Sequence, residues 1–242
     1  MGYKYKNDKI LGPYEFNLGM EFQKFNSTTS SENQYLRIDL ELTKKLRIAK
    51  KRYFEIRFAS SFYPLNTQLK STAISSRNVL NTTRGSAGLA FQGYHDNTND
   101  ELFLGRSDVS GIWSQQVQIK QGGFKFAHGL TQRDNIGNSN SFILAVNLSS
   151  DLPIKKIGNL VRPYFDIGYS KINLAGNPQY LYSGGINISI FQDYLDLYLP
   201  IIQSKAIKEL YLSLDHPSYF KQITFSLKLK MLSMKELTQM IY

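Results

Sequence analysis

Several residue types and motifs on which common activities depend are absent or scarce in this chain. There is no cysteine, which excludes disulfides, thiol nucleophiles and cysteine metal ligands. The three histidines, His95, His128 and His216, have no acid near them at metal-ligand spacing. The motifs H-E-x-x-H, G-x-S-x-G and G-x-x-x-x-G-K-[ST] do not occur. We therefore expect that this chain is not an enzyme and that it holds no metal and no cofactor.

Long apolar runs are also missing, and none approaches the roughly 18 residues that a membrane-spanning helix needs. The net charge is +10, which on its own would favour anionic partners such as nucleic acid or lipid headgroups. The basic residues are spread between predicted strands and turns, however, as in ordinary solvated loops. We therefore expect no nucleic acid partner.

What the chain has in abundance is a two-residue alternation of apolar and polar side chains. The clearest case is residues 222–230, Q-I-T-F-S-L-K-L-K, where Ile223, Phe225, Leu227 and Leu229 share one side of an extended strand. The same pattern predicts strands at residues 14–23, 35–43, 53–62, 141–149, 161–170, 184–190 and 195–201. Residues 85–94 are a weaker candidate. Residues 101–106, 113–120 and 123–128 form either short strands or a folded loop that lies over or inside a barrel made by the other strands.

The polar sides of these strands carry charges of both signs, which a soluble β-sandwich would expose to water and a membrane barrel would turn into its lumen. Tyr and Phe gather near strand ends, as in Tyr14, Phe22 and Tyr180, where the lipid–water boundary would lie. The apolar sides are free of charge over four successive positions in several strands, and the strand lengths suit a tilted crossing of a bilayer. We therefore predict an all-β fold, an antiparallel transmembrane β-barrel of about 10–12 strands with short periplasmic turns and long external loops. The barrel domain would span residues 13–230, with a lead-in at 1–12 and a tail at 231–242.

One part of the sequence resembles a known group of proteins. Residues 103–125, F-L-G-R-S-D-V-S-G-I-W-S-Q-Q-V-Q-I-K-Q-G-G-F-K, are similar to a segment of gram-negative proteins that carry a thermolysin-like zinc aminopeptidase domain ahead of a C-terminal outer-membrane barrel. The closing hairpin, residues 184–201, together with I-T-F-S-L-K-L, is similar to barrels of the surface-antigen and assembly-factor type. The peptidase part is absent from this chain, and the tail after the last strand departs from barrels that end on a terminal aromatic.

The resemblance implies an outer-membrane location and a role as membrane anchor or scaffold for an attached or partner domain, such as a peptidase. Outer-membrane lipid is then the surrounding partner. Two alternatives stay open, which are an outer-membrane pore or transporter and a soluble β-sandwich binding module.

Three groups of residues are candidate sites. The first is a lumen charge network, which would form either a selective pore or, as we expect, a plugged and salt-bridged interior; it comprises Glu15, Arg37, Asp39, Glu41, Glu55, Arg57, Arg162, Asp166 and Asp196. The second, a periplasmic basic turn, would either bind acidic headgroups or an acidic partner, or be simply solvated; it comprises Lys44, Lys45, Arg47, Lys50, Lys51 and Arg52. The third is a structured, non-catalytic loop that would fold into the lumen or support another domain; it includes Gly105, Arg106, Trp113, Gly122 and Gly123.

Overall fold

The structure is a computed structural model. It describes residues 1–8, 12–25, 33–67, 87–91, 111–127, 136–154, 158, 160–171, 178–190, 194–212 and 218–227. The predicted tail at 231–242, the three histidines, and Gly105 and Arg106 of the predicted loop lie outside these residues.

Eleven strands and one α-helix account for most of the described chain. The strands are β1 (Gly2–Asn7), β2 (Tyr14–Phe25), β3 (Asn33–Ala49), β4 (Arg52–Asn66), β5 (Ala87–Gly88), β6 (Asn138–Ser139), β7 (Phe142–Ser150), β8 (Val161–Lys171), β9 (Gln179–Ile190), β10 (Leu195–Gln203) and β11 (Thr224–Leu227). The helix, α1, is Lys205–Leu212, and 3₁₀ turns occupy Trp113–Gln115 and Tyr219–Gln222.

Nine of the strands form one large antiparallel sheet in the order β1-β2-β3-β4-β7-β8-β9-β10-β11, while β5 and β6 pair separately. The longest ladder without a register shift joins β2 to β3, from Tyr14 opposite Lys44 to Phe25 opposite Asn33. Because neighbouring strands are antiparallel, the connections at residues 8–13, 50–51, 151–160 and 191–194 all join strands at one end of the sheet, called the short-connection end below. The connections 26–32, 67–141, 172–178 and 204–223 join strands at the other end, called the long-connection end because it has the two longest.

The prediction of an all-β fold is confirmed, since the described residues form mainly strands in one large antiparallel sheet. Closure of that sheet into a barrel is not observed. Within the described ranges, β1 and β11 are its two ends and do not pair with each other.

Two of the longer elements, β1 and α1, were not anticipated from the sequence. Residues 2–7, assigned to a lead-in before the barrel domain, form edge strand β1, which pairs with β2 from Gly2 opposite Gly19 to Asn7 opposite Tyr14. Helix α1 lies in the stretch between the predicted strands 195–201 and 222–230, where no regular element was expected. Among the described residues, no helix is long and apolar enough to cross a membrane.

The burial of the sheet is inverted relative to a water-soluble sheet. Its polar side is the buried one. Asp166 is 0% and Arg57 only 4% exposed. On the apolar side, Ile167 is 48% and Phe22 is 57% exposed. A soluble sheet instead buries its apolar side and solvates the polar one.

Candidate functional site

The polar side of the large sheet, called the inner face below, holds a connected group of charges at its centre. The Arg57 guanidinium donates from Nε to Glu41 Oε1 at 2.8 Å and from Nη1 to Asn147 Oδ1 at 2.8 Å. Asn147 in turn donates from Nδ2 to Asp166 Oδ1 at 2.9 Å. The register explains the meeting, because Arg57 pairs with Asn147 across β4 and β7, and Asn147 with Asp166 across β7 and β8.

A buried ion pair completes this central group. Lys125 Nζ lies 2.5 Å from Asp166 Oδ1, and the two side chains are 8% and 0% exposed. The Lys125 ammonium also lies 4.9 Å from the ring centroid of Tyr164 and 5.9 Å from that of Tyr198, close enough for cation–π attraction. A buried charge is very costly unless it is paired and hydrogen-bonded, so Lys125 and Asp166 depend on each other.

A second group lies on β2, β3 and β4. Arg37 contacts Glu21 Oε2 at 2.7 Å and Asp39 Oδ2 at 2.8 Å. Asp39 Oδ1 accepts a hydrogen bond from the Ser61 hydroxyl at 2.5 Å, and Glu21 Oε1 accepts one from Tyr35 at 2.6 Å. These contacts hold the side chains against their own sheet.

The remaining members of the predicted lumen network are distributed more widely. Asp196 accepts from the Ser189 hydroxyl at 2.5 Å on the inner face of β9 and β10. Arg162 pairs with Asp151 at 2.9 Å beside the β7–β8 turn. Two pairs are partly exposed, Glu15 with Lys4 at 2.6 Å and Glu55 with Lys45 at 3.1 Å. The predicted network is therefore several separate clusters along one face.

Residues 111–127, called the inner segment below, lie against the inner face and contain the described part of the predicted structured loop. Apart from a parallel bridge between Gln116 and Phe225, they are not in strands. The Gln121 carbonyl accepts from Arg57 Nη2 at 2.9 Å, and the Gly122 carbonyl accepts from Asn147 Nδ2 at 3.0 Å. The Lys125 carbonyl accepts from the Thr224 hydroxyl at 2.6 Å.

The two adjacent glycines explain why this segment can approach the sheet so closely. A Cβ on Gly122 would overlap the Leu89 backbone. Gly123 has φ +68°, and a Cβ there would collide with Arg57 and lie 2.8 Å from Asn147 Oδ1. Trp113, by contrast, is half exposed and packs edge-on against Phe225, with ring centroids 6.2 Å apart.

An apolar cluster forms toward the long-connection end of the inner face. It joins Phe124 and Phe126 of the inner segment to Leu89 and to one side of α1, on which Ile207, Leu210 and Tyr211 are buried. The Tyr211 hydroxyl accepts from the Ala127 backbone N–H at 3.4 Å, and burial raises the pKa of this phenol, which favours its neutral form. The inner segment and α1 thus cover part of the inner face.

A cavity of about 700 Å³ remains beside the inner segment, over β1 to β4. Charged groups of both signs line it, including Lys4, Arg37, Asp39, Glu41 and Lys120. Its size is within the range of small-molecule sites. Among the described residues, no group of three or more His, Asp or Glu is placed to hold a metal ion.

The predicted basic turn lies at the short-connection end of the sheet. Arg52 Nη2 donates to the Ile154 carbonyl at 2.6 Å, and the Tyr53 backbone N–H donates to Asp151 Oδ2 at 2.8 Å. These bonds attach the β3–β4 turn to the β7–β8 turn. Lys44, Lys45, Arg47, Lys50 and Lys51 are exposed around it.

Sequence reasoning missed Lys125 and Asn147, the two residues that join the central charges. Asn147 was visible as a polar position opposite Val146 and Leu148 in an alternating strand. Lys125 had no such signal, because its contact with Asp166 depends on how the inner segment folds.

Comparison with protein-family models, with curated proteins and with solved structures finds no match.

Proposed function

We propose that this protein is an outer-membrane β-barrel that serves as a membrane anchor or scaffold and has no catalytic residues of its own. The observation that carries the proposal is the inverted burial of the sheet. The exposed apolar side suits contact with lipid, while the ion-paired side suits the interior of a barrel. The asymmetric connections agree with short periplasmic turns and long external loops.

Lipid leaves no water for an exposed strand edge, so a spanning sheet has to close. Since β1 and β11 run in the same direction, a wholly antiparallel closure needs a tenth strand between them. Ten strands is the lower bound of the range of about 10–12 expected from the sequence. A direct parallel contact of β1 with β11 is the other way to close.

The anchoring role is supported by the inner segment, which is hydrogen-bonded across the interior side of the sheet instead of leaving it open. The cargo we propose is an attached or partner peptidase domain, because residues 103–125 resemble a segment of barrels that follow such a domain. Residues 111–125 of that stretch belong to the inner segment, and residues 103–110 lie outside the described part of the chain.

The second candidate function is a pore or transporter. The cavity of about 700 Å³ beside the inner segment favours it, because charged groups of both signs line that space. Conductance measurements distinguish it from an anchor. A soluble β-sandwich is disfavoured, since no second sheet covers the apolar side within the described ranges.

The first test is electrophoretic mobility. Protein extracted from the membrane fraction in mild detergent is run on SDS gels with and without heating. A closed barrel has no free edge, so we expect the unheated protein to migrate differently from the boiled one. Equal mobility, with the protein recovered in the soluble fraction, would overturn the proposal.

Cysteine cross-linking tests closure itself and benefits from the absence of native cysteine. In the variant Tyr5→Cys/Leu227→Cys, direct contact of β1 and β11 brings the two Cα atoms within the roughly 7 Å that a disulfide requires. A tenth strand separates them by about 10 Å, two strand spacings, and a longer bis-maleimide is then needed. Neither reagent should link the control pair Tyr5→Cys/Ile167→Cys. Failure of both reagents with the first pair would show an open sheet.

A further inference from the structure

The basic turn, comprising Lys44, Lys45, Arg47, Lys50, Lys51 and Arg52, concentrates positive charge at the short-connection end of the sheet. The two-residue connection is tight, and Lys51 adopts the left-handed backbone conformation with φ 58°. The turn is also anchored, through Arg52 to the Ile154 carbonyl and through Tyr53 to Asp151. It therefore presents its charges on a surface with a defined position.

Most of this charge is not neutralised inside the protein. Lys45 pairs with Glu55 at 3.1 Å, and Arg52 bonds to a carbonyl. Lys44, Arg47, Lys50 and Lys51 form no ion pair within the part of the chain that the structure describes. The nearby acid Asp151 is occupied by Arg162. These four side chains are thus exposed at this end of the sheet, with Lys44 on the apolar side of β3 and Arg47 on the opposite side.

The same hairpin also continues the exposed apolar side of the sheet. Leu42, Leu46 and Ile48 are 39%, 38% and 50% exposed. Lys44 stands in this row between Leu42 and Leu46, because every second residue of a strand shares a face. A lysine there can lay its methylene chain along apolar surface while its ammonium reaches the polar boundary. The surface therefore combines an apolar base with a cationic rim.

We propose that the basic turn binds the phosphate groups of anionic phospholipids in the leaflet that meets the short-connection end. The apolar row would contact acyl chains, and Lys44, Arg47, Lys50 and Lys51 would pair with the phosphodiesters. The occupant is a lipid and not a free anion because cationic and apolar groups adjoin on one hairpin. This inference rests on the proposed membrane location of the protein.

The test measures the lipid next to the turn in nanodiscs of neutral phosphatidylcholine that contain the full chain. A fluorescent donor is attached at Pro153→Cys, on the adjoining β7–β8 turn, and trace acceptor-labelled phosphatidylglycerol or phosphatidylcholine is added. A basic residue near an anionic surface strengthens binding about fivefold. We therefore expect a strong enrichment of phosphatidylglycerol over phosphatidylcholine, reduced by added salt.

The variant K44Q/R47Q/K50Q/K51Q should bring the ratio of phosphatidylglycerol to phosphatidylcholine next to the turn close to one, because it removes the four charges that attract the anionic headgroup. The matched control K171Q/K205Q/K208Q/K221Q removes the same charge near the long-connection end and should retain the enrichment. Loss in both variants would overturn the inference, since net charge alone would then explain the effect. Inorganic phosphate and chloride should reduce the enrichment equally at the same ionic strength. A stronger effect of inorganic phosphate would also overturn the inference, because it would indicate a site for a free anion.

The two proposals fail in different ways. If the unheated protein migrates differently and stays in the nanodisc but shows no preference for phosphatidylglycerol, only the proposed lipid site is contradicted. If the protein does not enter nanodiscs and shows no heat-dependent mobility, both the membrane location and the lipid site are contradicted.

Discussion

Lys125 and Asp166 are the pair of side chains on which the arrangement of the interior depends most. Both are almost fully buried, and removing either partner leaves the other as an uncompensated charge. We expect Lys125→Met or Asp166→Asn alone to lower the free energy of unfolding by about 3–5 kcal/mol. Urea unfolding of the detergent-solubilised protein measures this loss.

The double variant Lys125→Met/Asp166→Asn should recover much of the loss, because neither position is left as an unpaired buried charge and the amide that replaces the Asp166 carboxylate can still contact Asn147. An exposed pair supplies the control. Lys205 and Glu209 lie 3.6 Å apart on the surface of α1, so Lys205→Met should change the unfolding free energy by at most about 0.5 kcal/mol. Single Lys125 and Asp166 variants as stable as this control would contradict the buried pair.

The inward position of these charges could be predicted from the sequence, but their partners could not. Strand alternation is enough to place Arg57 and Asp166 on one face. Which groups meet depends on the register, which brings Asn147 between them, and on the inner segment, which supplies Lys125. Neither the register between distant strands nor a non-repetitive segment leaves a periodic signal.

Gly123 is a position at which the inner segment is sensitive to substitution. Its φ of +68° disfavours any side chain, and a Cβ would meet Arg57 and Asn147. We expect Gly123→Ala to weaken attachment of the segment by about 2 kcal/mol or more, which raises the population of the open form roughly thirtyfold. Trypsin cleavage after Lys120 and Lys125 reports that opening.

Gly19→Ala on β2 is the matched control. Its added Cβ would lie 3.6 Å from Asp39 Cβ, an ordinary contact, so cleavage in the inner segment should remain slow. Equal cleavage rates in the two variants would mean that Gly123 is not where the segment is held.

The individual elements were predictable to very different degrees. Strands β2, β3, β4 and β7 to β11 follow from clear alternation. Two further elements had readable signals that were overlooked. Tyr3 and Tyr5 alternate with Lys4 and Lys6 in β1, and Ile207, Leu210 and Tyr211 have helical spacing in α1. The inner segment is different, because it is held by tertiary hydrogen bonds, many of them to side chains, and not by a repeating backbone ladder.

Replacing residues 116–127 with a Gly/Ser linker of equal length tests whether the inner segment blocks passage. If the segment plugs a barrel, the native protein should conduct weakly in planar bilayers and the variant should conduct well. The variant has to retain its heat-dependent mobility, which shows that the barrel still forms. A large conductance in the native protein would instead favour the pore as the function.

The molecule as a whole presents an apolar surface outward and a polar surface inward, and this makes the effect of an outward charge diagnostic. Ile167 lies midway along β8 on the exposed apolar side. If that side faces lipid, Ile167→Arg should destabilise the folded protein by about 2–4 kcal/mol, as for a basic residue near the middle of a bilayer. If it faces water, the change should be within about 0.5 kcal/mol, like other surface substitutions.

Leu212→Arg at the end of α1 is the comparison for this prediction. Leu212 is exposed but lies in the connection after β10, outside the strands that would cross the bilayer. Its substitution should therefore be nearly neutral in either environment. Unfolding in lipid vesicles, followed by electrophoretic mobility, measures both variants. A large loss of unfolding free energy confined to Ile167→Arg supports contact of this side with lipid. Equal and small losses in the two variants would exclude that contact, because an arginine in lipid costs far more than one in water.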